Sequence, residues 1–260
     1  MHINSSKGTI FSYNIESMIG RILLQSFRAD IRFVRRDPML FMAMSAPFVI
    51  ILLLKLIFPV LAVFIYTNTG FNLGNYYSLV SLTILPVIPM LFGLVYAFML
   101  LDENDTNILQ VISVTPAGKE NFLYMRMVMP VILSFLLVLV SILVTDPVPS
   151  EGWLRTIFAA LLLALQAAFV FLFIGGLAAN KIEGFALAKL YGIFIIAVPV
   201  GLLLHHPWNY LAFFSPLYWI SWAWITSVPS ESFIYGTISI IITSGSLFFF
   251  LRHFLGKHAK

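Results

Sequence analysis

The residues able to do chemistry in this chain are few and widely spaced. There is no cysteine, which removes disulfides, thiolate metal ligands and thiol nucleophiles together. A P-loop needs glycine backbone to cradle phosphate, then Lys and Ser or Thr for phosphate and magnesium. The two Gly-Lys pairs, Gly118-Lys119-Glu120 and Gly256-Lys257-His258, do not continue that way, so nucleotide hydrolysis by that route is excluded. Neither His-Glu-x-x-His nor Gly-x-Ser-x-Gly occurs. His205 and His206 are adjacent, so on a helix they point about 100° apart and do not readily share a metal. No catalytic residue and no metal site is expected. All 11 acidic residues fall outside the long apolar stretches, whereas an ion-coupled carrier usually places carboxylates near the bilayer midplane. Lys55 is the one charge deep inside such a stretch. Two readings of it stand: it meets an anionic substrate group in a polar cavity, or it snorkels or caps carbonyls freed by Pro59.

The elements that must position these residues are written in the composition. Hydrophobic residues make up 60% of the 260 and charged residues 10%, with mean hydropathy +0.98. A soluble domain carries about 25% charged residues, so lipid is part of the solvent here. The expected fold is all-α and integral to the membrane, as one transmembrane domain over residues 1–260. Six apolar stretches reach the roughly 20 residues needed to cross a hydrocarbon core: Met39–Tyr66, Leu79–Leu101, Met127–Thr145, Ile157–Ala179, Phe185–Leu204 and Phe233–Leu251. Prolines inside them (Pro47, Pro59, Pro86, Pro89, Pro130, Pro199) predict kinks rather than chemistry. With both termini in the cytoplasm, all of the 15 lysines and arginines except Lys55 and Arg155 fall on the inner side. The five tryptophans, Trp153, Trp208, Trp219, Trp222 and Trp224, then fall outside, where an aromatic belt can form. The expected location is the inner, cytoplasmic membrane of a cell, crossed several times. The apolar run after the basic N-terminal region is far longer than the apolar core of a cleavable signal.

Two segments flank the spans. Residues 15–37 repeat Ile15, Ile19, Ile22, Leu23, Phe27, Ile31 and Val34 at helical spacing, with Arg21, Arg28, Arg32 and Arg35 on another face. This predicts a helix in the cytoplasmic interface, its arginines facing anionic headgroups or a protein partner; anchoring alone and anchoring with partner contact both fit. The external segment 205–230 is rich in aromatic residues and broken by Pro207, Pro216 and Pro229, which predicts one or two short helices between spans five and six.

The informative segment is the first cytoplasmic loop, residues 102–126. It opens with Asp102, Glu103 and Asp105, which suit a helix N-terminus. Ile108, Leu109, Val111 and Ile112 give a short amphipathic face, and Thr115-Pro116 ends it. A short helix held under the membrane on two stalks is a lever for a cytoplasmic partner; an ordinary solvated loop is the alternative. The run from Leu101-Asp102-Glu103-Asn104-Asp105 through Val114-Thr115-Pro116 resembles the coupling loop of type-2 ABC transporter permease subunits, nearest the branch of drug (fluoroquinolone-type) export permeases. The architecture resembles that family over nearly the whole chain, while motif-level likeness is confined to this loop. Thr106-Asn107-Ile108 depart from the Glu-Gly-Thr common there, and Asn can adopt some of the backbone conformations open to Gly.

The resemblance implies an exporter subunit for a drug, lipid or other amphipathic molecule. A second permease chain, identical or related, would pair with it. A separate ABC ATPase would bind the ATP and magnesium and receive the loop through Asp102, Glu103, Asp105, Leu109, Thr115 and Pro116. No cofactor is expected in this chain and no nucleic-acid partner. A self-contained secondary carrier or channel is the alternative from another class, and it calls for more polar side chains at midplane than Lys55 alone.

Overall fold

The computed structural model describes residues 27–106, 118–147, 152–204 and 207–257. Two compact units are distinguished, the first ending at Met44 and the second running Ser45–Lys260. In the first, residues 27–34 are helical. Arg28 and Arg32 are exposed, Phe27 and Ile31 half-buried and Val34 buried, as the three- and four-residue spacing predicts. Asp37 then starts the next helix: its Oδ1 accepts the backbone N–H groups of Met39 (2.9 Å) and Leu40 (3.4 Å). Pro38 fills the first helical position, where its missing N–H costs nothing.

Six helical stretches are long and apolar enough to cross a membrane: Pro38–Thr69, Leu73–Asp105, Phe122–Thr145, Trp153–Leu177, Lys181–Leu203 and Pro229–Gly256. The number is the one expected from hydropathy. Most of the ends lie further out. Hydropathy reports where lipid begins, whereas the helix continues as long as backbone bonds do. Residues 102–105 and 118–126, expected as loop, are therefore helical extensions of the second and third spans.

The prolines act unequally. Pro47, Pro130 and Pro199 sit inside unbroken helices. Pro86 separates the helix Tyr77–Ile84 from Val87–Asp105 within the second span. Pro59 follows a π turn, Leu53–Ile57, after which the helix resumes as Phe58–Thr69. A proline cannot donate to the carbonyl four residues back and its ring clashes there. At Pro59 that carbonyl belongs to Lys55. Widening the turn relieves the clash, and the N–H of Phe58 bonds to the Leu53 carbonyl instead.

The second and fourth spans form the interior of the larger unit, with 78% and 72% of their central windows buried, against 17% for the sixth. They approach closely because Gly93 carries no side chain; a Cβ there would lie 2.6 Å from the Ala167 carbonyl oxygen. At Gly175, in the small-residue patch 175–178, a Cβ would meet Leu100 Cδ2 at 2.9 Å. The fourth span also packs on the third, fifth and sixth. Gln166 Nε2 donates to Thr243 Oγ1 (2.9 Å), a buried polar link from the fourth span to the sixth. Between spans five and six stand a 3₁₀ turn, Trp208–Ala212, and a helix, Pro216–Ile225. Ser215 Oγ donates to the Phe194 carbonyl (2.8 Å) and Ser239 Oγ to that of Pro216 (3.2 Å), tying this segment to both spans.

Candidate functional site

Two groups of polar side chains lie at opposite ends of the second span. At its C-terminal end, Val87–Asp105 carries Asp102, Glu103 and Asp105 in its last turn. This corrects the reading of these acids as the start of a helix. The negative end of the backbone dipole disfavours carboxylates there, and two of the three are compensated by cations from other spans. Glu103 accepts a bidentate pair from Arg126, through Nη2 and through Nε at 3.3 Å. Asp102 Oδ2 lies 2.9 Å from Lys181 Nζ, in the first turn of the fifth span. Side-chain exposure is 12% for Glu103 and 16% for Arg126, against 27% for Asp102 and 29% for Lys181, so the first pair is the better shielded. Thr106 Oγ1 donates to the Asp102 carbonyl (2.9 Å) and closes the helix end. Asp105 is exposed.

The second, third and fifth spans are thus tied by charge at one end. Sequence reasoning identified the acids and missed their partners. The signal was available: carboxylates at a helix C-terminus call for nearby cations, and Arg126 and Lys181 lie near the starts of the third and fifth spans. Leu109, Thr115 and Pro116 lie outside the described residues, as do Arg21, His205 and His206. Arg28, Arg32 and Arg35 are exposed on or just after the helix 27–34.

At the other end lies a cleft of about 660 Å³. Its walls come from the C-terminal half of the first span, the 3₁₀ turn Leu73–Tyr76 with the residue before it, the start of the helix after that turn and the last residue of the third span. Phe58 packs on Tyr77, ring centroids 5.1 Å apart, and the Tyr77 hydroxyl donates to the Thr145 carbonyl. Lys55 opens onto this cleft from the π turn. It is exposed, and no hydrogen bond or ion pair reaches its ammonium among the described residues. Of its second expected reading, carbonyl capping is absent among the described residues, and snorkelling stands beside the contact with an anionic substrate group.

The tryptophans also depart from expectation. Trp153 and Trp208 are exposed, as a belt requires, but Trp224 is buried and Trp219 and Trp222 are partly so. The last two pack with Phe213, Tyr218 and Tyr235, and Trp219 Nε1 donates to the Phe213 carbonyl (2.9 Å). Burial pushes the Tyr218 hydroxyl above its ordinary range, so it stays neutral. The segment folds back on the spans because Gly201 leaves room for the Tyr218 ring, which a Cβ would meet at 2.1 Å.

A family model described as fluoroquinolones export permease protein Rv2686c-like matches residues 30–251, which include all six spans except the last residues of the sixth. Two relatives from Mycobacterium tuberculosis, strains CDC 1551 / Oshkosh and H37Rv, are each named a fluoroquinolones export permease protein. Each is 27% identical over 250 residues, covering 94% of this chain and 99% of the relative. No solved structure matches. With six apolar helices and a family match over most of its length, the chain belongs to the Rv2686c-like family of export permeases of the membrane.

Proposed function

We propose that this chain is the membrane-spanning subunit of an ABC exporter, moving a drug or another amphipathic molecule outward with energy from a separate ATPase. The carrying observation is the export-permease family match in a chain whose sequence has no P-loop. The motor is then another polypeptide, which binds ATP and magnesium. Both termini and the charged end of the second span face the cytoplasm, because that placement keeps the positive charges inside. The helix at 27–34 lies in the inner interface with Arg28, Arg32 and Arg35 toward headgroups or the ATPase. The segment from Asp102 to Pro116 is the ATPase contact, and two permease chains form the pore. Glu103–Arg126 and Asp102–Lys181 would pass a push at that contact into the second, third and fifth spans together.

The test is reconstitution. The purified chain should hydrolyse no ATP, and efflux from proteoliposomes should require both a co-expressed ATPase and ATP. Transport by the chain alone under an ion gradient would overturn the proposal.

A further inference from the structure

Lys55 stands at the middle of a 32-residue apolar helical stretch, at the inner end of the cleft beside it. A charge at that depth is costly to insert, and the fold places a π turn at the same residue. Pro59 imposes this turn, and wide turns of this kind are frequent at functional sites. From Lys55 the cleft runs along Phe58, Ala62 and Val63 to Tyr66, about 16 Å at 1.5 Å per residue. Its volume falls within the roughly 300–1,000 Å³ of small-molecule sites.

The hydrogen-bonding state of its polar groups narrows the ligand. Asn72 Oδ1 accepts from the Gly74 N–H (3.1 Å), which leaves the amide N–H₂ to donate. The Tyr77 and Thr145 hydroxyl hydrogens are used, toward the carbonyls of Thr145 and Ser141. Among the described residues no acidic side chain lines the cleft, and the charge they bring to it is the Lys55 ammonium. A cationic ligand finds no counter-charge there; an anionic one does. A phospholipid carries its phosphate at the membrane surface, whereas Lys55 is near the centre of its span. A whole small molecule held within the bilayer fits that placement better.

We infer that the cleft binds a small amphipathic acid, with its anionic group on Lys55 and its apolar body along Phe58, Ala62 and Val63. The inference rests on the export reading only for its use, as a place where cargo is held; binding itself is tested without ATPase or ATP.

The test uses the full chain in phosphatidylcholine nanodiscs, with empty nanodiscs as blank and 1-pyrenebutyric acid as probe. The acid should bind saturably, and its uncharged methyl ester about tenfold to a hundredfold more weakly, the range for a hydrogen bond to a charged group. Lys55→Met should bring the acid down to the level of the ester and leave the ester unchanged, while Lys55→Arg retains the preference. Ala62→Trp, which fills the cleft and keeps the lysine, should abolish binding of both. Equal binding of acid and ester, or a Lys55→Met variant that binds the acid as before, would overturn the inference. So would loss of acid binding, beyond the fall in the blank that surface charge causes, when anionic phosphatidylglycerol replaces part of the zwitterionic phosphatidylcholine, since the cleft would then belong to anionic lipid. Failure here leaves ATP-driven transport standing, and failure of ATP-driven transport leaves a binding result standing.

Discussion

Two carboxylates a single position apart have different tasks from a third beside them. Glu103 is held by Arg126 in a shielded pair, so removing either partner leaves a charge in poor solvent. Glu103→Gln or Arg126→Ala should cost about 1–3 kcal/mol, between surface and fully buried pairs. The double exchange Glu103→Arg with Arg126→Glu should recover part of it. Thermal unfolding in detergent, followed by monodispersity, measures both. Asp105 is exposed at the same helix end. Asp105→Lys should leave the unfolding temperature within a degree or two and, under the coupling proposal, separate ATP hydrolysis from transport. Wild-type transport by that variant would remove Asp105 from the ATPase contact. The comparison makes Asp105 the cleaner probe of the three acids, because reversal at Asp102 or Glu103 also breaks a tie between spans.

At the scale of elements, the first span shows how one proline sets the aim of one lysine. A π turn holds one residue more than an α turn, so straightening it rotates everything on one side by about 100°. Pro59→Ala restores the missing donor and removes the clash at the Lys55 carbonyl. It should stabilise the helix and turn residue 55 away from the cleft. The natural chain has no cysteine, so Lys55→Cys can be labelled singly, and its labelling rate by a small charged thiol reagent should change several-fold when Pro59→Ala is added. An unchanged rate would mean that the wide turn has another cause. The contact of the second and fourth spans at Gly93 offers the opposite case, where close packing leaves no room for a side chain. Gly93→Val would drive side-chain atoms into the Ala167 carbonyl and Val170. Overpacking of this kind costs about 1–3 kcal/mol, and more where backbone is struck. The expected outcome is loss of the monodisperse peak in size exclusion, with insertion preserved.

For the whole molecule, the two groups of polar residues sit at opposite ends of a bundle whose middle is almost without charge. The ion pairs join the end of the second span to the starts of the third and fifth. The Tyr77–Thr145 bond joins the start of the second span to the end of the third. The second and third spans are therefore clamped antiparallel at both ends, one clamp ionic and the other neutral. The orientation proposal places the ionic clamp in the cytoplasm. A fluorescent protein fused after Lys260 should fold and fluoresce, and Glu151→Cys should be labelled from outside by a reagent that does not cross the membrane. Labelling of Glu151→Cys only after the membrane is opened would reverse the orientation.

Hydropathy by itself determined that the chain crosses the membrane in six helices, because apolar length is a local quantity and lipid answers to it directly. Residue type by itself excluded a P-loop, and the run around Asp102 already resembled the coupling loop of export permeases before any fold was known. Tertiary structure decided what those features do to one another. The acids of the second span close a helix instead of opening one, because backbone bonding runs past the edge of the apolar run and two distant cations offset the dipole. Three of the five tryptophans turn inward, because Gly201 admits the Tyr218 ring and serine hydroxyls tie the segment back to the spans. Lys55 was conspicuous in the sequence, but its cleft was not. The walls come from residues 54 to 145, and no local pattern encodes which of them meet.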